Sequence, residues 1–228
     1  VFEALIRSFS DMIYLALIKE DRFNFLVNGF VVSVQLTFSA AVIGVALGLV
    51  IAIFKIRNKG ATAAFANAYI TVIRGTPAVV QLTVIYFVIL AKSGLPAMLI
   101  ASIAFGLNSA AYVAEIVRGG IMAVDKGQTE AGRSLGLSSL QTMRYIVIPQ
   151  AVKNVLPALG NEFIVLLKET SIAGYISIVD LNKGGQHISS ITYNGMVAPL
   201  CVAYIYLLMT TSMASALDRL ERRMRAGD

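Results

Sequence analysis

The chain has 228 residues, of which 57% are hydrophobic and only 14% charged, and its formal net charge is +6. Soluble domains carry about a quarter of their residues as charges, so this composition, with a mean hydropathy of +0.75, excludes an ordinary soluble fold and points to a membrane protein. The high pI, ≈ 9.5, does not indicate nucleic acid, because the lysines and arginines stand in short clusters between apolar runs and not on an aromatic-studded patch.

Crossing a bilayer takes about twenty apolar residues. Five runs qualify, 25–54, 63–90, 97–117, 155–179 and 196–217, which predicts an all-α integral membrane domain over 23–218. Ahead of it, in 1–22, Phe2, Leu5, Ile6, Phe9 and Ile13 recur at helical spacing against Glu3, Arg7 and Asp11. That pattern predicts an amphipathic helix on the outer membrane surface. The first residues lack the basic-then-apolar-then-small pattern of a cleavable signal.

In the first run Gly44 and Gly48 form a small-xxx-small pair that reads as helix packing, and Ser33, Gln35 and Thr37 read as polar residues satisfying neighbouring helices. The second run carries Arg74, Gly75 and Pro77. Proline removes a backbone hydrogen bond, so the helix bends there and frees a carbonyl. Arg74 either snorkels to the cytoplasmic end or serves an ion pair or a gate, and Thr76 offers a hydroxyl at the bend to a translocation path. In the third run Asn108 and Ser109 are polar near mid-membrane. The Asn108 amide must be paired, by a neighbouring helix or by a substrate. Glu115 and Arg118, three apart, make a helical salt bridge at the rim.

Between the third and fourth runs lies a charged, glycine-marked stretch, 125–149. Asp125 with Gln128, and Ser138 with Gln141, have capping-box spacing, which predicts two short helices near 128–137 and 140–148. Gly132 and Gly136 are four apart and so share a bare helical face, with Glu130 and Arg133 standing off it. Such a face suits another protein's groove, or simply tightens a loop.

In the fourth run Asn161, Glu162, Lys168, Glu169, Thr170 and Ser171 interrupt an apolar stretch. Ionisable groups in a membrane are costly and usually face a bundle interior or a water-filled path. Glu162 and Glu169 share one helical face about 10 Å apart along the axis, while Lys168 points away and either neutralises one glutamate, pairs with Glu115, or does neither. On an unbroken helix Asp180 would stand about 16 Å from Glu169, joining a site only if the helix breaks near Gly174. His187 reads as a solvated residue of an outer loop with Asn182 and Lys183. Cys201, alone in an apolar run, offers neither a disulfide nor paired metal ligands.

Basic residues mark the cytoplasmic side. Lys55, Arg57 and Lys59, then Arg118, Lys126, Arg133, Arg144 and Lys153, then the tail 219–228, outnumber Arg7, Lys19, Arg22, Lys92 and Lys183 opposite them. The amino end is therefore expected outside, with the 125–149 stretch and the carboxyl end inside and the tail against anionic lipid. No GxxxxGK[ST] occurs, so energy from a nucleotide must come from another chain. An odd number of runs without internal repetition argues against an inverted-repeat carrier.

Glu130-Ala131-Gly132, Gly136 and Ile148-Pro149 resemble the EAA loop of ATP-binding-cassette (ABC) importer permeases, specifically the polar amino acid uptake family, with Gly132 where that family usually has a second alanine. Arg74-Gly75-Thr76-Pro77 with Gln81-Leu82, Asn108-Ser109-Ala110-Ala111-Tyr112 with Ala114-Glu115-Ile116, Pro149-Gln150-Ala151 and Lys168-Glu169-Thr170-Ser171 follow the family in the same order, from about Phe23 to the end. The resemblance implies a type I importer permease of five transmembrane helices in a bacterial cytoplasmic (inner) membrane. In it Glu130, Ala131, Gly132 and Gly136 belong to a coupling helix that docks into an ATPase subunit. It implies two ATPase subunits carrying ATP and Mg, a second permease subunit, identical or homologous, and an extracytoplasmic amino-acid-binding protein. This chain would itself be no enzyme and hold no cofactor.

The same resemblance implies that the fourth run lines the substrate cavity. The candidate substrate residues are Glu162, Glu169, Asp180, Asn161, Thr170, Ser171, Asn108 and Thr76. A neutral residue at position 162 is expected of a glutamine carrier, so the carboxylates favour a basic amino acid such as arginine, lysine or histidine, with glutamine or another polar amino acid as the alternative. An ion channel or proton-coupled carrier would explain the carboxylates but not the 125–149 stretch, and a scaffolding subunit would explain that stretch but not intramembrane charge.

Overall fold

The computed structural model describes residues 11–57 and 60–225. The amphipathic segment expected over 1–22 lies outside the described residues as far as residue 10, as do Lys59 and the tail residues 226–228. Among the described residues there is no strand. After a π-turn at Tyr14–Ile18 and a 3-10 turn at Lys19–Asp21, the chain forms α1 (Phe23–Arg57), α2 (Gly60–Arg74) and α3 (Ala78–Val84), the last prolonged by a π-turn at Ile85–Ile89. Next come α4 (Ala97–Met122), α5 (Lys126–Ser134) and α6 (Ser139–Thr142), which passes through a π-turn at Met143–Val147 into α7 (Ile148–Glu169). A 3-10 segment (Thr170–Ile176), α8 (Leu181–Thr192) and α9 (Val197–Arg225) complete the described chain.

The first and third runs pack closely against each other because glycines leave room. A Cβ on Gly44 would lie 2.9 Å from the Cβ of Ser109, one on Gly48 2.6 Å from that of Val113, and one on Gly106 2.7 Å from that of Ile43. Ser33 and Thr37 are fully buried, and Ser33 Oγ accepts from the Leu181 backbone N–H at 3.1 Å. Gly44, Gly48, Ser33 and Thr37 of α1 therefore serve packing, whereas Gln35 is exposed. α4 is the central helix, with 67% of its most apolar window buried, whereas the corresponding share of α9 is 6%.

Among the described residues three helices are long and apolar enough to cross a membrane, α1, α4 and α9, or four elements if the α2 and α3 pair is one broken span. The second run bends where expected, and sharply: it is two helices at 107°, since the helical bonding that still reaches the Gly75 N–H, 3.0 Å from Thr71 O, gives way to extended backbone at Pro77. The fourth run is likewise not one apolar helix. α7 ends at Glu169, the 3-10 segment tightens it, and Ser177 adopts a left-handed φ of 65° that turns the chain back. Asn182, Lys183 and His187 then lie on a helix, α8, and not in a loop. α8 escaped the sequence reading because Gly184 and Gly185 look like breakers, whereas Gly184 permits close approach: a Cβ there would sit 2.5 Å from the Phe25 carbonyl oxygen. His187 is exposed, its ring 4.4 Å from that of Phe25. α9 runs unbroken from the last apolar run into the basic tail.

Candidate functional site

The site grows from the break at 75–77. In an α-helix the Ile73 carbonyl would accept from the N–H of residue 77, but Pro77 has none. Gln81, on the first turns of α3, supplies the missing donor: its Nε2 donates to Ile73 O at 2.7 Å, to Thr76 O at 3.0 Å and to Thr76 Oγ1 at 2.8 Å. Thr76 Oγ1 donates in turn to Val72 O at 2.9 Å. The other end of the Gln81 amide accepts from Asn108 Nδ2 at 3.0 Å, so the broken span is tied to α4.

The next residue of α4 ties that helix to α7, since Ser109 Oγ donates to Glu162 Oε1 at 2.8 Å. Glu162 and Glu169 are both half-buried, as suits carboxylates on one face two turns apart. The charged groups acting on Glu162 are Glu169 and Arg74, and the Arg74 guanidinium lies 5.2 Å from the centre of the Tyr112 ring, a cation–π contact. Lys168 is exposed. It does not pair with Glu115, which is held by Lys55 and by Arg118 Nη2 at 2.9 Å.

The other predicted residues are spread around this axis. Asn161 is exposed and lines a cleft of about 540 Å³ with Glu115, Lys153, Asn154, Pro157 and Glu221. Thr170 is fully buried, its hydroxyl 3.4 Å from that of Thr37 and donating to Leu167 O at 2.8 Å. Ser171 lines a smaller cleft, about 210 Å³, with Tyr175, Asn182, Lys183 and Gln186. Asp180 is fully buried and caps α8, its Oδ1 accepting from the Lys183 N–H at 2.8 Å. The structure thus joins Thr76 to Asn108 through Gln81 and, from the adjacent residue of α4, Ser109 to Glu162, with Glu169 on the same helix as Glu162. Thr170 and Asp180 are fully buried away from these contacts, and Asp180 Oδ2 is buried without a partner among the described residues. Gln81 and Ser109 were not among the predicted site residues, although a glutamine in an apolar run four residues after a proline was a readable signal.

The 125–149 stretch is helical as expected, with three corrections, the first being that the helix expected over 140–148 is not a separate one but runs from Ser139 through the π-turn into α7. Asp125 caps α5 by accepting from Gly127 N at 2.6 Å, but the Gln128 side chain does not return the bond of a capping box: its oxygen accepts from Gln150 Nε2 at 3.1 Å, and only the Gln128 backbone N–H reaches Asp125, at the carbonyl. The capping box of Ser138 and Gln141 forms in full. Gly132 and Gly136 do not make a shared bare face. Gly136 lies beyond the end of α5 with φ 84°, and the Leu137 N–H reaches back to the Gly132 carbonyl at 3.2 Å, the closing bond of a glycine-terminated helix. Gly132 is buried: a Cβ there would meet Ile146 Cδ1 at 2.7 Å and Thr142 Cγ2 at 2.9 Å. The helix stops before a four-residue spacing can bring the two glycines onto one face. Glu130 and Ala131 are exposed, and so are two large apolar side chains, Leu135 at 81% and Leu140 at 77%.

A family model described as "Binding-protein-dependent transport system inner membrane component" matches residues 44–226, and the chain belongs to that family. It is 39% identical over 198 residues to the glutamine transport system permease protein GlnP of Escherichia coli (strain K12), covering 84% of this chain and 90% of that protein. It is 37% identical over 216 residues to the arginine transport system permease protein ArtQ of Bacillus subtilis (strain 168), covering 90% and 94%. A solved structure described as an amino acid ABC transporter with histidines superposes with a TM-score of 0.84 at 46% identity, covering 88% of this chain and 94% of that one. The chain is thus a multi-pass inner-membrane permease subunit of an ABC importer, built for transport and not for ATP hydrolysis.

Proposed function

We propose that this subunit moves basic amino acids, arginine, lysine or histidine, across the membrane by alternating access. The observation that carries the reading is the Glu162 carboxylate, half-buried, oriented by Ser109 and followed on the same helix by Glu169. Neither glutamate is in an ion pair among the described residues, and a partly desolvated carboxylate pair favours a cationic guest over a neutral one. Glu162, Glu169, Ser171 and Asn161 would face the solute, with Thr76, Asn108, Thr170 and Asp180 holding their surroundings in place. Glutamine is the second reading, favoured by the similarity to a glutamine permease.

In this account the α2 and α3 pair counts as one broken span and α7 with its 3-10 segment as another, making five. The 125–149 stretch is the coupling element. Glu130 and Ala131, together with the exposed Leu135 and Leu140, present a surface to a groove on an ATPase, while Gly132 and Gly136 give the stretch its shape. Two ATPase subunits would hold ATP and Mg on the cytoplasmic side, where the basic clusters place the coupling stretch and the carboxyl end. A second permease subunit and an extracytoplasmic binding protein complete the assembly, and this chain holds no cofactor of its own.

The selectivity test is Glu162→Gln in the reconstituted transporter. Competition between labelled arginine and unlabelled glutamine should shift against arginine by about 1 to 3 kcal/mol, roughly tenfold to a hundredfold, at unchanged protein level. Equal loss for both amino acids would assign Glu162 to structure and leave the basic preference without support.

A further inference from the structure

Gln81 makes more bonds to the break than any nearby side chain, and the bonds are chemically determined. The two hydrogens of its NH2 group are shared among the Ile73 and Thr76 carbonyls and the Thr76 hydroxyl, which leaves only Oε1 for the Asn108 amide. Gln81 is 9% exposed and Asn108 3%, so both amides are out of reach of bulk water. The remaining oxygen of Asn108 is buried without a partner among the described residues, leaving Gln81 as what the Asn108 side chain holds. A buried donor or acceptor that loses its partner is costly, so the break and α4 keep this contact or separate at a definite energy cost. The adjoining Ser109 then connects α4 to α7 through Glu162.

We propose that Gln81 is a positioning residue of transport: its clamp on Asn108 makes the broken span and α4 move as one unit, which passes motion to α7 through Ser109. The inference rests on the chain acting as a permease, and not on which amino acid Glu162 prefers. Short polar side chains that re-satisfy a broken transmembrane helix are tolerated when the break faces protein or a cavity. Here the group that repairs the break is also its link to the central helix.

The test is a swap across the contact, made in the assembled transporter with its ATPase in proteoliposomes. Gln81→Lys keeps donors for Ile73 O, Thr76 O and Thr76 Oγ1, and the Asn108 amide, whose oxygen has no partner among the described residues, can turn that oxygen to the ammonium and keep the contact. Asn108→Asp alone sets an acceptor against the Gln81 oxygen and breaks it. Asn108→Asp should therefore lower arginine and glutamine uptake alike by about tenfold, whereas Gln81→Lys and the double variant should both stay within about threefold of the unaltered protein, the rescue being the signature of direct coupling. If either single variant fails to accumulate in the membrane, the double variant must accumulate normally. A second arm, Gln81→Leu, should lower uptake per ATP hydrolysed by about tenfold while the amount of bound ATPase holds, a split that a merely structural role would not produce. A double variant as impaired as Asn108→Asp, ordinary uptake by Asn108→Asp alone, or unchanged transport per ATP would each overturn the proposal. A changed preference between arginine and glutamine in Glu162→Gln, measured separately, bears only on substrate choice.

Discussion

Gly29 shows how little room some single positions leave. A Cβ there would lie 2.6 Å from the Asp180 carbonyl oxygen and 2.8 Å from the Leu181 Cα, and backbone atoms cannot step aside as a flexible side chain can. Gly29→Ala should therefore force α1 and α8 apart at a cost of about 1 to 3 kcal/mol, read as a lower unfolding midpoint in detergent. Gly119 in α4 has nothing within 4 Å of its would-be Cβ, so Gly119→Ala should leave the midpoint unchanged or raise it slightly, by up to about 1 kcal/mol of helix propensity. Equal midpoints for the two variants would contradict the close approach of α1 and α8. At this scale, legibility in the sequence followed cost. Glu162 and Glu169 were readable because charge in an apolar run demands an explanation. For Gln81 the repair of the break at Pro77 could be suspected from the sequence, but its tie to α4 could not, because that depends on Asn108, which lies far along the chain.

Among the elements, the second and fourth apolar runs proved to be broken, whereas the first and third were the most legible, 25–54 against Phe23–Arg57 and 97–117 against Ala97–Met122, since their length and hydrophobicity answer to the bilayer. Helix ends were less so. The left-handed Gly136 and Ser177 cut short what periodicity would continue, and α8 carries its apolar residues on one face only, with Gln186, His187 and Ser190 outward. The orientation of the elements rests on the distribution of lysine and arginine, and it has a direct check. In a background lacking Cys201, a cysteine placed at the exposed Ser139 of α6 should react with a membrane-impermeant thiol reagent only from the cytoplasmic side. One at the exposed Ser190 of α8 should react only from outside. Reversed labelling would place the coupling stretch on the wrong side of the membrane for ATP.

For the whole molecule, the contrast between a buried α4 and an exposed α9 describes a subunit organised around one central helix. That helix bears Asn108, Ser109 and Glu115, which bond respectively to α3, α7 and the end of α1. Apolar side chains left outside, such as Phe38, Phe65, Val88 and Leu200, suit lipid or the second permease subunit, where packing and not water exclusion drives association. In the proposed function, the polar contacts around α4 and the charged 125–149 stretch would be parts of one machine whose power lies in a separate subunit. The measurement that tests this most directly is ATP-dependent amino acid uptake by proteoliposomes containing the permease and its ATPase, with Leu135→Asp compared against the unaltered chain. The account predicts that the variant inserts normally, releases the ATPase and loses ATP-driven accumulation. Accumulation at the ordinary rate with the ATPase still bound would contradict it.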